Sequence, residues 1–231
     1  RASKNISHIP VFIRRQNPKP DSRVEQAPLI MDLGMHLAED TEFYLKKGFR
    51  VIAVEANPVL VKQARSRFTD ALGSGQLHIE NCGIATEPGS ATFYVNDGHS
   101  EWSSFIEEIG AREGNYHEIE VACKTLLNLF EQYGCPYYLK VDIEGHDWIA
   151  LNAISESKEK PQHISVENGS VELLEWFHRY GYDQFKFINQ AEVPDQSCPD
   201  PAKEGQYVEH VFPYGASGTF GEETPGVWID Y

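Results

Sequence analysis

The chain has 231 residues, which suits one domain of ordinary size, and its 41% apolar and 24% charged residues are typical of a folded globular protein. Twenty Lys and Arg residues against thirty-five Asp and Glu residues give a formal net charge of −15. This charge repels the phosphates of nucleic acid and anionic lipid, so we expect no nucleic-acid partner. No apolar run approaches the roughly 18 to 20 residues that span a bilayer, and we expect no membrane span.

The cysteines are widely separated in the sequence. They form no C-x-x-C pair and have no accompanying histidine spacing of the zinc type. We therefore expect mostly buried thiols in a reducing compartment and a cytoplasmic location. The four residues are Cys82, Cys123, Cys135 and Cys198.

Strand and helix signals alternate from residue 28 onward. PLIMDLG is a short apolar run that ends in a turn, and AEDTEFYLKKG places apolar side chains among charges and stops at a glycine, as helices often do. RVIAVEAN is nearly all apolar and β-branched, as expected of a parallel strand covered on both faces, and PVLVKQARSRF repeats apolar residues at helical spacing. The sequence therefore predicts two successive strand–helix units.

The alternation continues to residue 190. Further strands are predicted at QLHIEN, SATFYVN, PYYLKVDIEG, PQHISVEN and DQFKFINQ, and helices at KTLLNLFEQYG, HDWIALNAI and SVELLEWFHRYG. This order predicts an α/β fold with a single doubly wound, mostly parallel, Rossmann-like sheet. We divide the chain into a basic N-terminal arm (1–27), a core (28–190) and a C-terminal extension (191–231) packed on the core. Ligands are expected at the carboxyl ends of the strands, in the turns that follow them.

The first of these turns contains Asp32, Leu33 and Gly34. A dinucleotide site requires G-x-G-x-x-G so that backbone amides can approach a pyrophosphate, and only Gly34 is present here. Glu39 and Asp40 at the helix start would also repel phosphate. NAD is therefore disfavoured, whereas a cofactor without phosphate and with cationic groups would be tolerated.

Glu55 ends the second predicted strand. It follows Gly34 by 21 residues, close to the spacing of about 20 at which an acid binds a ribose diol in nucleotide-binding sheets. Two carboxylate oxygens match two vicinal hydroxyls as paired acceptors. The alternative is a solvated acid at a strand end. Together with Asp32 and Gly34, Glu55 favours a site for an adenosine-containing cofactor.

Several short segments stand in a characteristic joint order along the chain: MDLGMHLAEDTEFYLKKGF, VIAVEANP, ENCGIA, WSSF, YLKVDIEGHD, ISVEN, GYDQFKFINQ and SGTFGEETPGVW. In this order the chain resembles the FkbM-type methyltransferases, a class I S-adenosylmethionine-dependent family, from about Pro28 to Trp228. The resemblance implies the class I methyltransferase fold and methylation of an oxygen, commonly on a sugar or a natural-product hydroxyl.

The same resemblance implies a set of cofactor-binding residues. Gly34 would lie under the amino acid part of S-adenosylmethionine, and Asp32 belongs to the same turn. Glu55 would bind the ribose, Asn57 would lie beside the adenosine, and Asn81 would lie near the adenine edge. Each of these residues follows or ends a predicted strand.

The reacting centre is predicted at the end of the central strand, in the sequence KVDIEGHD. Alternation places Lys140, Asp142 and Glu144 on the same side of this strand. An alcohol must lose its proton as it accepts a methyl group, so we assign catalytic roles to Asp142, Glu144 and His146. His146 has a suitable unperturbed pKa of about 6.5, although it could simply start the following helix with Asp147. Lys140 is expected to neutralise buried acids.

Asp142, Glu144 and Glu167 could also supply oxygen ligands for magnesium. The sequence shows no dedicated ligand spacing, so we expect no required metal. Trp102 lies with Ser103 and Ser104 in a segment of uncertain structure, and its aromatic face either stacks on a sugar or belongs to the core.

The preferred function is therefore an S-adenosylmethionine-dependent O-methyltransferase that acts on a hydroxyl of a small molecule or glycan. Two alternatives remain. The first is a catalytically silent protein that binds an adenosyl ligand. The residue that favours this alternative is Ala38, where the resembled family usually has a second glycine. The second is a nicotinamide-dependent oxidoreductase on the same kind of sheet.

Overall fold

The computed structural model describes residues 10–15, 27–167 and 170–231. Within these ranges the strands are β1 (Val11–Arg14), β2 (Leu29–Leu33), β3 (Arg50–Val54), β4 (Leu77–Glu80), β5 (Gly83–Ile84), β6 (Gly89–Asn96), β7 (Tyr116–Lys124), β8 (Tyr138–Val141), β9 (His163–Val166), β10 (Gln184–Phe187) and β11 (Ile229–Asp230). The α-helices are α1 (Glu39–Lys46), α2 (Pro58–Arg67), α3 (Thr69–Gly73), α4 (Glu107–Gly110), α5 (Leu126–Tyr133), α6 (Asp147–Glu156) and α7 (Val171–Arg179). Short 3-10 helices cover Ser100–Trp102, Arg112–Gly114, Gln190–Asp195 and Gly221–Glu223.

Eight of these strands form the main sheet, in the order β11-β10-β1-β9-β8-β2-β3-β4. The run β9-β8-β2-β3-β4 is parallel throughout, whereas β1 is antiparallel to both of its neighbours and β11 is antiparallel to β10. The predicted α/β class with a mostly parallel sheet is confirmed. The strand predicted at SATFYVN is β6, and it pairs with β7 in a separate three-stranded sheet of order β5-β7-β6.

Helices cover both faces of the main sheet because its strands are apolar on both sides. One face carries side chains such as Met31 and Leu139, and it packs with residues of α5, α6 and α7. The opposite face carries Ile30 and Tyr138, and it packs with residues of α1, α2 and the C-terminal extension. Adjacent residues of one strand thus belong to two different cores, as the period of two in a strand requires.

The N-terminal segment differs from its prediction. Residues 11–14, assigned to an arm outside the core, form β1 between β9 and β10. Val11, Phe12 and Ile13 are at most 2% exposed, so both sheet faces use this strand. Hydrogen bonding on both sides makes it an inner strand. Residues 16–26 lie outside the described residues. The first nine residues of the predicted arm also lie outside the described part of the chain.

The C-terminal extension packs on the second face of the sheet. The ring of Phe220 stacks on that of Tyr138, with centroids 4.9 Å apart. Lys47 and Glu223 form an ion pair of 2.8 Å, and both side chains are fully buried. The extension is therefore attached to this face of the sheet by aromatic packing and by a buried ion pair.

Tyr137 links the core to this extension and supplies a stability test. Its hydroxyl donates to both carboxylate oxygens of Glu204 at 2.9 Å, and Glu204 is buried. Tyr137→Phe leaves that carboxyl with one partner fewer, so we expect the free energy of unfolding to fall by about 1–3 kcal/mol in a urea titration. Tyr207→Phe is the matched control, because Tyr207 is half exposed and its replacement should change little. Equal stabilities of the two variants would contradict the assigned contact.

Candidate functional site

Three strand ends meet at the Gly34 turn. The amides of Gly34 and Met35 both donate to the carbonyl of Val54 at 3.0 Å, which joins the ends of β2 and β3. Gly34 has φ of 85°, and a Cβ atom there would lie 1.7 Å from the carbonyl oxygen of Asp142 at the end of β8. Only glycine fits such a position. The turn after β2 therefore contacts the turn after β8 directly.

Ala38 lies at the end of the same turn. It is fully buried and has φ of 64°, in the left-handed region that glycine adopts more readily. Its amide donates to the carbonyl of Met35 at 2.9 Å, so the turn closes with alanine in place. Alanine is therefore accommodated here as a strained residue at the start of α1.

Glu55 is fixed by two backbone amides at the end of β3. Its Oε2 accepts from His36 at 2.9 Å, and its Oε1 accepts from Asn57 at 2.8 Å. Burial raises the pKa of this carboxyl to about 7, although the two amides favour the charged form. A carboxylate has about four acceptor sites, so each oxygen retains one for a further donor. The residue is thus suited to receive a pair of hydroxyls.

Asn57 and Asn81 both support the turn that follows β3. The Oδ1 of Asn57 accepts from the amide of Val59 at 2.9 Å and caps α2. The Nδ2 of Asn81 donates to the carbonyls of Glu55 and Ala56 at 2.9 and 3.0 Å. The donors of Asn81 are thus committed to the backbone, and only its Oδ1 is left for a ligand. Contact of either side chain with adenosine remains a prediction.

Lys140 lies at the centre of a buried charge cluster. Its Nζ is 3.3 Å from Asp32 and from Asp40 and 3.4 Å from Asp142, and it donates to the carbonyl of Gly34 at 3.2 Å. Burial opposes its charge, but the three carboxylates outweigh that effect and hold the pKa of Lys140 above its ordinary value. The prediction that Lys140 neutralises acids is confirmed. Its ammonium group joins the Gly34 turn to the turn predicted to hold the reacting centre.

Asp32 lies inside this cluster and is not exposed to solvent. Its Oδ2 accepts from Thr41 at 2.6 Å, and burial raises its pKa. Asp40 extends the cluster outward, because it accepts from both the amide and the hydroxyl of Ser217 at 2.9 and 2.8 Å. The sequence showed Asp40 as an acid near the turn and predicted that the C-terminal extension packs on the core, but it did not indicate that Ser217 would bind Asp40.

Asp142, Glu144 and Glu167 bring carboxylate oxygens within 4.8 Å of one another. Burial, with the charges of Asp142 and Asp147, raises the pKa of Glu144 to about 7. Burial also raises the pKa of Glu167, which shares a side-chain hydrogen bond with Asp142. These three residues could hold a cation, but Lys140 already neutralises one of them. That no metal is required remains a prediction.

His146 has a different orientation from its predicted partners. Its Nδ1 lies 3.3 Å from the carbonyl oxygen of Ile84, and its ring stacks on Phe105 with centroids 5.2 Å apart. Among the described residues, neither Asp142 nor Glu144 hydrogen-bonds to the imidazole. His146 is the N-cap residue of α6, but its side chain makes no capping hydrogen bond. The structure thus brings Asp142 and Glu144 together and places His146 on the side of the small sheet.

These features define an α/β protein with a polar site at the carboxyl edge of a Rossmann-like sheet. The family model described as the methyltransferase FkbM domain matches residues 32–189, which is more than half of the chain. The chain belongs to the FkbM methyltransferase family, so the resemblance seen in the sequence is confirmed. No curated protein matches the chain.

A solved methyltransferase FkbM from Methylobacillus flagellatus KT is 17% identical to the chain, with a TM-score of 0.38. The match covers 57% of this chain and 31% of that one, so the chain spans about a third of that protein's length. Among the described residues, no helix has both the length and the apolar character needed to cross a membrane.

Proposed function

We propose that the protein is an S-adenosylmethionine-dependent methyltransferase that transfers a methyl group to a hydroxyl of a small molecule or glycan. The observation that carries this proposal is the direct contact between the Gly34 turn and the turn of Asp142. It places the Glu55 carboxylate and the acidic cluster at neighbouring strand ends. A cytoplasmic location is part of the proposal, supported by four free cysteines.

The residues of the first two turns fit an adenosyl cofactor. Glu55 would accept the ribose hydroxyls, and Asn57 and Asn81 hold its turn in place. Asp32 and Gly34 would form the floor under the amino acid part, where acids suit an ammonium and a sulfonium better than a phosphate. S-adenosylmethionine supplies an electrophilic methyl group when bound.

Glu144 is the group we assign to the proton transfer. An alcohol must lose its proton as the new bond to oxygen forms, and a base works best when its pKa lies near the working pH. Burial and the neighbouring acids give Glu144 such a pKa, about 7. Asp142, paired with Lys140 at 3.4 Å, would orient the hydroxyl. His146 remains a second predicted proton acceptor.

Calorimetry with S-adenosylmethionine and S-adenosylhomocysteine tests the cofactor, and transfer of a labelled methyl group to a panel of sugars and hydroxylated small molecules tests the reaction. We expect both ligands to bind and a labelled ether to form. Binding without product would favour the silent adenosyl-binding alternative. Failure of both ligands to bind would overturn both the methyltransferase and the silent adenosyl-binding protein. NADH is the control ligand, and its binding would favour the oxidoreductase.

Glu55→Ala should weaken S-adenosylhomocysteine binding by about 1–3 kcal/mol, because two charge-assisted hydrogen bonds to the ribose are lost. The measurement is a calorimetric titration of the folded variant. Glu131→Ala, on the exposed side of α5, is the control and should bind like the wild type. An unchanged affinity in Glu55→Ala would remove Glu55 from the cofactor site.

A further inference from the structure

Residues 100–104 connect the two halves of the candidate site. At one end, the hydroxyl of Ser100 lies 2.8 Å from Nε2 of His36, whose amide donates to Glu55. At the other end, the hydroxyl of Ser104 donates to the backbone carbonyl of Glu144 at 2.7 Å. One short segment thus extends from the residue that holds the ribose-binding acid to the proposed proton acceptor.

The turn that carries Glu144 needs support from outside itself. Glu144 has φ of 42°, which a glutamate rarely adopts, and Gly145 follows with φ of 92°. A Cβ atom at Gly145 would lie 2.7 Å from Ile106 and 2.8 Å from Ile109, so α4 and the residue before it pack directly on this turn. Strained backbone of this kind persists where surrounding contacts determine it.

Ser104 supplies a polar contact to the turn of Glu144, beside the apolar packing of Ile106 and Ile109. It is 1% exposed, and its hydroxyl also accepts from the amide of Ile106 at 3.0 Å. The backbone of Ser104 is held separately, because its amide and carbonyl pair with those of Tyr94 at 3.1 and 2.8 Å. Removing the hydroxyl therefore breaks the link to Glu144 and leaves the segment attached to β6.

We propose that Ser104 is a positioning residue that holds the backbone of Glu144 so that its carboxylate faces the acceptor hydroxyl. The assignment rests on the proposed function, because it gives Ser104 a part in the same proton transfer. Ser104 acts through Glu144 and itself touches no reacting atom.

Ser104→Ala tests the proposal, with Ser103→Ala as the matched control. The control removes the same hydroxyl oxygen one residue away. In the wild type the hydroxyl of Ser103 accepts from the amide of Asn96 at 3.1 Å and so lies toward the small sheet, away from Glu144. We expect Ser104→Ala to lower kcat by about 10-fold while leaving KM for S-adenosylmethionine and the affinity for S-adenosylhomocysteine unchanged. Ser103→Ala should keep the wild-type kcat, and Ser104→Thr, which retains a hydroxyl, should recover most of the rate.

Two readouts separate positioning from a general loss of structure. Hydrogen exchange at residues 143–147 should be about 10-fold faster in Ser104→Ala than in Ser103→Ala. The Glu144 carboxyl, followed by NMR titration, should also move toward its ordinary pKa of about 4.3 as the turn admits water. Asp142, Asp147 and Glu101 raise that pKa, Arg112 lowers it, and the Glu167 carboxylate lies within 4.8 Å. The serine variants leave all five of these groups unchanged.

The failures of the two proposals are distinguishable. A wild type that binds no adenosyl ligand overturns the proposed function, and the positioning role falls with it. A wild type that turns over while both serine variants behave alike overturns the positioning role alone. If ligands bind and no acceptor is found, an unmoved Glu144 titration in Ser104→Ala overturns it, whereas a lowered pKa supports it.

Discussion

Lys140→Met is expected to lower the free energy of unfolding by about 3–5 kcal/mol. Lys140 is the cation between Asp32, Asp40 and Asp142, at 3.3, 3.3 and 3.4 Å, and it is 5% exposed. Methionine is similar in length but carries no charge. The two buried aspartates, Asp32 and Asp40, would then repel each other without the solvation that water gives an exposed carboxylate. The carbonyl of Gly34 would lose its donor as well.

Urea unfolding at neutral pH measures this loss. Lys46→Met is the control, because Lys46 is exposed and its pair with Glu42 joins two residues four apart on the surface of α1. Such pairs contribute at most about 0.5 kcal/mol. Similar unfolding midpoints for the two variants would show that the cluster is stabilised by something other than the Lys140 charge.

The position of the site follows from rules that a sequence reveals. Parallel strands present their carboxyl ends at one edge, so residues that end separate strands converge there however far apart they lie in the chain. Gly34, Glu55 and Asp142 meet for that reason. The spacing from Gly34 to Glu55 was readable because it depends on regular structure. The expected alternation of Lys140, Asp142 and Glu144 does not hold, because β8 ends at Val141 and the two acids lie in the turn beyond it.

The remaining contacts arise where the chain is irregular. β1 has four residues and no period of its own, so its insertion between β9 and β10 depends on long-range pairing that no local pattern indicates. Two hydrogen bonds involve segments outside the regular strand–helix alternation. One joins the hydroxyl of Ser217 to Asp40, and the other joins the hydroxyl of Ser104 to the carbonyl of Glu144. The orientation of His146 was also unreadable, because its ring contacts Ile84 and Phe105, which belong to other elements.

Replacing Glu144 should have the largest effect on the reaction. Glu144→Gln keeps the shape of the side chain but removes its capacity to take a proton, so we expect kcat to fall by about 100- to 10 000-fold. Affinity for S-adenosylhomocysteine should be retained, because Glu55 and its turn are untouched. The measurement is the rate of S-adenosylhomocysteine release with an acceptor from the hydroxyl panel. Glu175→Gln, on the exposed side of α7, is the control.

The pH profile identifies the base. A general base must be deprotonated to act, so the wild-type kcat at saturating S-adenosylmethionine should rise with pH and level off above about 7, the value to which burial raises the pKa of Glu144. The residual rate of Glu144→Gln should lack that rise. An active Glu144→Gln together with a His146→Ala variant slowed by about 100-fold would transfer the role to His146. The imidazole would then have to leave Ile84 and Phe105 to reach the acceptor.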